Sequence, residues 1–326
     1  MTSCSPSCSG ATAVGPELPG DPARSVAPAH AGAPAHSAVW AGEPTRIDRV
    51  LPELGLARSR SRAAELVAEG RALIDGAQAS KAGARVGTGA LVELVGEDRF
   101  VSRAANKLEL GLSEFGIDPT GEVALDVGAS TGGFTQVLLE RGARTVLAVD
   151  VGHDQIVTEL RDDPRVRVVE GRNARELTAE NLAADTGVDE APGVVVADLS
   201  FISLGLVLAP IAACAAQGAQ FVFLIKPQFE VGRVRDGVVT DPAQWAAAIR
   251  AVLGAAARCG LAARGLEASP IAGGSGNREF LVHFQRDPDP DPTEWETRIA
   301  ELISAEAPPG FRAAPSTTNE AEEGGR

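Results

Sequence analysis

Asp198 and Lys226 each stand directly after a short apolar run, in GVVVADLS (193–200) and AQFVFLIKP (219–227). A third such run, VALDV (123–127), opens into the glycine-rich turn GASTGG (128–133). Runs of this kind read as buried parallel strands, and a parallel sheet presents its ligand-binding ends at the strand C-termini. Two groups of opposite charge at neighbouring strand ends beside a glycine turn form a site. The spacing G-x-x-x-G-G is not the G-x-G-x-x-G that seats a pyrophosphate on a helix N-terminus, which argues against a dinucleotide. Asp150 closes the next strand, TVLAVD (145–150), 22 positions beyond Gly128, where a carboxylate can grip a ribose diol. A nucleoside ligand without phosphates fits both facts, and S-adenosylmethionine is the common one.

The elements that must hold these groups follow from the pattern. Gly128, Gly132 and Gly133 let the backbone turn sharply and approach a ligand. Ser130 or Thr131 can cap the following helix, which puts Phe134, Val137 and Leu138 on one face and stops at Gly142. Upstream, Ser102 can cap a helix running to Phe115, with Leu108, Leu112 and Phe115 as its apolar stripe and Lys107 at the stripe's edge. Downstream the strand–helix rhythm continues through RVRVVEGRN (165–173), a helix around 242–258 and a closing strand REFLVHF (278–284). The fold class expected is α/β, a Rossmann-like sheet, preceded by a small N-terminal α+β domain.

At 326 residues with 44% hydrophobic composition, the chain is long enough for two domains. Its net charge of −14 argues against a nucleic-acid binder until the charge is located. Residues 287–326 hold ten acids against three arginines and residues 1–44 three against one, leaving only −5 on the body, where a local basic patch is possible. Residues 1–44, rich in Ala, Pro, Gly and Ser, read as a disordered tail, and 287–326 as an acidic, mostly disordered one. The N-terminus has no signal-peptide pattern, and Cys4, Cys8, Cys214 and Cys259 suggest neither zinc nor a disulfide framework, so a cytoplasmic protein is expected. No charged residue occurs between Asp198 and Lys226, but Gly205, Pro210, Gln217, Gly218 and Gln220 interrupt the run, which favours buried strands and a core-facing helix over a membrane span.

Residues 45–96 read as a small domain of two short helices and then alternating strands, with Leu51, Leu54 and Leu56 supplying apolar surface in the first part and Ala63, Leu66 and Val67 facing inward on a second helix that Ser59 can cap. Arg58, Arg60 and Arg62 gather at the second helix start and Arg46 and Arg49 on the first, against the helix dipole, which points to an outside anionic partner. The pattern R-x-D-x-x-L, then S-R-x-x-A-x-x-L-V-x-x-G, then I-D-G resembles the S4 RNA-binding domain. The resemblance implies docking on structured RNA, with the arginines on phosphates. A linker at 97–102 joins this segment to a second domain at 103–286.

Together SRAANKL, LDVGASTGGFT, VVADLSFISL, LIKPQFEVG and SGNREF resemble the TlyA family of rRNA 2′-O-methyltransferases, related to the FtsJ type. What the resemblance implies is a Lys-Asp-Lys-Glu tetrad at Lys107, Asp198, Lys226 and Glu279, cofactor contacts at Gly128, Ser130, Gly132, Asp150 and Asn173, and methylation of cytidine 2′-hydroxyls in 23S rRNA, in a subset also in 16S rRNA, so that ribosomal RNA or ribosomal subunits are the partners. The chain departs from the family in SRAANKL, where relatives often have glycines after the Arg, and in a shorter loop after Glu230.

Methyl transfer from a sulfonium to a hydroxyl is an in-line displacement that needs alignment and a route for the hydroxyl proton, and it needs no metal. Lys226 serves either as the base or as an orienting hydrogen-bond partner. Lys107 and Glu279, on a helix edge and a late strand, are expected to matter less than Asp198 and Lys226. Two other readings stand beside the enzyme: a hemolysin-like membrane-active protein built on the run 199–225, and a catalytically silent rRNA-binding protein.

Overall fold

The computed structural model describes residues 34–57, 59–96, 99–232 and 234–307. The chain up to residue 97 forms one compact unit and the chain from 98 onward a second.

In the first unit, strands β1 (Pro34–Val39), β3 (Ala72–Ile74), β4 (Ala77–Gln78) and β6 (Leu91–Val95) form an antiparallel sheet in the order β1-β6-β3-β4, and β2 (Thr45–Arg46) pairs with β5 (Arg85–Val86). Helices α1 (Ile47–Glu53) and α2 (Arg60–Ala68) close the core with Ile47, Val50, Leu51, Leu66 and Val67. Ser59 caps α2 as its sequence position suggests, accepting from the Arg62 N–H at 3.2 Å. Leu54 and Leu56, expected in this core, pack only at its edge.

The tail expected over 1–44 contains β1, which pairs with β6, and then Trp40, buried with its indole N–H donating to Glu43 O at 3.0 Å. The strand is held by its backbone ladder and by Trp40, while its own apolar residue Val39 is exposed. A composition average over 44 residues hides such a strand. The rest of that segment lies outside the described residues.

The second unit is a seven-stranded sheet of β7 (Val123–Val127), β8 (Thr145–Val149), β9 (Val166–Val169), β10 (Val194–Ala197), β11 (Gln220–Ile225), β12 (Leu261–Ala268) and β13 (Phe280–Arg286), in the order β12-β13-β11-β10-β7-β8-β9. β7 to β11 run parallel, and β13 runs antiparallel to both β11 and β12. Alternate residues of each strand serve opposite faces. Leu125, Leu147, Val195 and Phe223 face one apolar layer, covered by α6 (Ala179–Thr186), α7 (Leu208–Cys214), α9 (Pro242–Arg258) and α10 (Glu296–Glu306). Ala124, Val146, Val196 and Val222 face the other, covered by α3 (Ala105–Glu114), α4 (Gly133–Glu140) and α5 (Thr158–Arg161). This two-sided burial is why the strands read as unbroken apolar runs. A short turn of helix, α8 (Pro227–Glu230), follows β11.

The uncharged run 199–225 supplies a 3₁₀ turn at Leu204–Leu206, then α7 and β11, and no helix among the described residues is long and apolar enough to cross a membrane. The acidic segment from 287 onward differs from expectation: it contains α10, whose Ile299, Leu302 and Ile303 are buried at helical spacing. Its acids lie on the other face of an amphipathic helix, which charge counting cannot separate from a disordered tail.

Candidate active site

β7, β10 and β11 lie side by side and in parallel, so Val127, Ala197 and Ile225 end at one edge of the sheet, and Asp198 and Lys226 are the next residues along their chains. The antiparallel β13 begins at that same edge, with Phe280 opposite Ile225, which brings Glu279 beside Lys226. Lys107 comes down from α3, whose Leu108 and Leu112 are buried against the sheet. The helix can lie this close because Gly111 faces β11 and β13: a Cβ there would stand 3.2 Å from Val222 Cγ1.

The four charged groups meet. Lys107 Nζ donates to Glu279 Oε2 at 2.6 Å and lies 3.7 Å from Asp198 Oδ2, while Lys226 Nζ is 2.6 Å from Asp198 Oδ1. Lys107, Lys226 and Glu279 are all over nine-tenths buried. Two ammonium and two carboxylate groups balance one another, as buried charge requires. Asp198 Oδ1 is buried against the Lys226 ammonium, so the two charges satisfy each other at close range. Lys226 Nζ also donates to Ser200 Oγ at 2.9 Å. Ser200 was not singled out by sequence reasoning; the signal available was only its place two residues after Asp198.

Beside the four lies a cavity of about 530 Å³ lined by Gly128, Ser130, Asp150, Asn173, Leu199 and Phe201, among others. Gly128 has φ +86°, and a Cβ there would come within 2.9 Å of the Asp198 carbonyl oxygen, so only glycine leaves the cavity wall its shape. Asp150 is pinned from both sides, accepting from Ser130 N at 2.8 Å and from Gly152 N at 2.7 Å, which fixes the carboxylate's orientation at the cavity. Asn173 lines the cavity while its Oδ1 accepts from Arg175 N at 3.1 Å. A smaller cavity of about 140 Å³ shares Gly128, Ser130, Asp198 and Ser200 and adds Lys226 and Ser102.

Gly132 is the N-cap of α4, at φ +98°, and a Cβ there would meet Leu160 and Ile156. The capping expected of Ser130 or Thr131 is absent, since α4 has no side-chain cap, and Ser130 instead sits at φ +48° with its N–H committed to Asp150. Likewise α3 starts at Ala105, with Ser102 Oγ accepting from Ala104 N in the preceding turn. Beneath the turn, Asp126 is fully buried, accepts from Thr135 Oγ1 at 2.7 Å, and leaves Oδ1 without a partner; burial, reinforced by the charges of Asp198 and Asp150, pushes its carboxyl up to about 7.

In the N-terminal unit the arginines divide. Arg62 is buried and bound to Glu65 and Glu69, so it holds α2 rather than offering charge outward, a correction. Arg49 is exposed, and Arg46 and Arg60 are largely exposed while pairing with Asp48 at 2.9 and 3.2 Å. Arg58 lies outside the described residues. Sequence reasoning missed Arg85, which the β2–β5 register places opposite Arg46, and exposed Lys81 at the same turn.

The charged quartet thus stands at the C-terminal ends of the parallel strands, beside the larger cavity, in a Rossmann-like methyltransferase sheet. Residues 100–286 match the FtsJ-like methyltransferase family and residues 45–92 the S4 domain. The chain is 46% identical over 249 residues, 75% of its length and 91% of the relative's, to the 16S/23S rRNA (cytidine-2′-O)-methyltransferase TlyA of Mycobacterium tuberculosis. It is 37% identical to Hemolysin A of Brachyspira hyodysenteriae over 73% of this chain and 99% of that one. A solved structure described as a hemolysin from Streptococcus thermophilus aligns with TM-score 0.64 at 36% identity, covering 81% of this chain and 95% of that one. The chain therefore belongs to the FtsJ-like methyltransferases, in the TlyA family that joins this domain to an S4 domain.

Proposed function

We propose that this protein transfers a methyl group from S-adenosylmethionine to the 2′-hydroxyl of a cytidine in ribosomal RNA, in 23S and also in 16S rRNA, using Lys107, Asp198, Lys226 and Glu279. The observation that carries this is the convergence of those four side chains at one sheet edge beside the Gly128–Asp150 cavity. The residues fit the cofactor: Asp150 offers acceptors to a ribose diol, Gly128 clears the wall, and Asn173 and Leu199 line the same cavity.

When bound, the cofactor supplies an electrophilic methyl group. Asp198 and Lys226 would hold the 2′-hydroxyl, whose proton goes to Lys226 as a neutral amine or, where Lys226 only orients, to solvent, as the methyl–sulfur bond breaks and the cofactor leaves as its thioether; the Lys107–Glu279 pair keeps Asp198 in place. Phe201, 91% exposed at the cavity rim, offers a face on which a nucleobase can stack. The S4 unit docks the RNA through Arg46, Arg49 and Arg60, with Lys81 and Arg85 extending the surface, and a cytoplasmic location goes with that substrate. The test is methyl incorporation by purified protein into separated 16S- and 23S-containing subunits, with ribose mapping and a parallel cell-lysis assay. Methylated cytidine riboses in both subunits without lysis are expected; lysis without incorporation would replace the enzyme with a membrane-active protein.

A further inference from the structure

The loop that leaves β10 is tied to the segment that leaves β11 at three successive points. Lys226 Nζ donates to Ser200 Oγ at 2.9 Å; the Phe201 and Phe229 rings meet at 5.3 Å between centroids; and Glu230 accepts from Ser203 Oγ at 2.6 Å and from Leu204 N at 2.8 Å. Phe201 sits at φ +66° with its ring largely exposed, so the loop around Ser200 is held chiefly by the hydrogen bonds on either side of it.

We propose that Ser200 is a positioning residue for Lys226, holding the amine at the target hydroxyl through both its charged and its neutral form. A carboxylate such as Asp198 can only accept, so it serves the N–H groups of either form but cannot donate to the lone pair of the neutral amine. A serine hydroxyl accepts from the ammonium and, after rotating, donates to the amine lone pair. Ser200 is exposed and lines both cavities, so its hydroxyl stands where the cofactor space and the amine meet. The Phe201–Phe229 and Ser203–Glu230 ties keep it there.

This inference rests on the proposed methyl transfer, and the experiment separates the two. Single-turnover transfer to rRNA is measured for wild type, Ser200→Ala, Ser200→Thr and Lys226→Ala, with calorimetric cofactor affinity and melting temperature alongside. Ser200→Ala is expected to lower the saturated rate by about ten- to a hundredfold, the scale of one lost hydrogen bond to a charged group, with RNA KM, cofactor affinity and melting temperature unchanged. Ser200→Thr, which restores a hydroxyl, should return to within a few-fold of wild type. An unchanged rate in Ser200→Ala beside a dead Lys226→Ala overturns the positioning role alone, as does a rate loss that follows lost cofactor affinity. A wild type that transfers nothing overturns the methyl-transfer reading itself.

Discussion

Asp126 shows how the cofactor end of the sheet costs the fold stability. Its carboxyl is buried in the α4 layer with one oxygen on Thr135 and the other unpartnered, and burial raises it to about 7. A carboxyl raised in the folded state binds its proton more tightly there than when unfolded, so its stabilising contribution is full at low pH and is lost as pH rises toward 7. Between pH 5 and 8 the loss is roughly 2–3 kcal/mol. His283 acts in the opposite sense: burial lowers it to about 4, so its contribution is lost as pH falls. Asp126→Asn isolates the first group: in denaturant titrations the variant should gain on wild type by that amount from pH 5 to 8, and a constant difference would contradict the burial argument. Asp150 belongs to the same scale. With both oxygens held by backbone N–H groups, Asp150→Ala should weaken S-adenosylmethionine about ten- to a hundredfold by calorimetry, while unchanged affinity would remove it from the site.

At the level of elements, the site depends on how closely α3 lies on the sheet. Gly111→Val would push the helix off Val222 and Leu281, costing about 1–3 kcal/mol by overpacking and drawing Lys107 from Glu279. A lower thermal midpoint together with a slower saturated rate is expected; loss of stability at full rate would show that Lys107 needs no exact placement. The central strands, the glycine turn and the ends carrying Asp198 and Lys226 were legible in the sequence because parallel strands buried on both faces are uninterrupted apolar runs. The placement of Glu279 was not legible from the residues because strand direction leaves no mark on an apolar run: only the antiparallel pairing of β13 with β11 puts its start at the site end. Gly132 was legible as a turn residue but not as a packing one, since both uses need the same missing side chain. β12, with its mixed LAARGLEA pattern at the sheet edge, and the strand β1 gave too little periodicity to read.

For the whole molecule, a chain of net charge −14 that binds a polyanion has to do so through a local surface. In the proposed function the exposed Arg46, Arg49 and Arg60 are that surface, and each phosphate contact would contribute about one unit to the salt slope of binding. Replacing all three with alanine should weaken rRNA binding and flatten its salt dependence by about two to three units while leaving cofactor affinity intact. Arg62→Ala, by contrast, should lower the melting temperature of the N-terminal unit, because it leaves Glu65 and Glu69 without their buried partner. An unchanged salt slope in the triple variant would move RNA docking elsewhere. The central claim is that the quartet at the sheet edge performs methyl transfer, and single-turnover methylation of rRNA by saturating Lys226→Ala tests it most directly. The account predicts a rate lowered by about a hundred- to ten-thousandfold with RNA and cofactor affinities near wild type; a rate within a few-fold of wild type would contradict it.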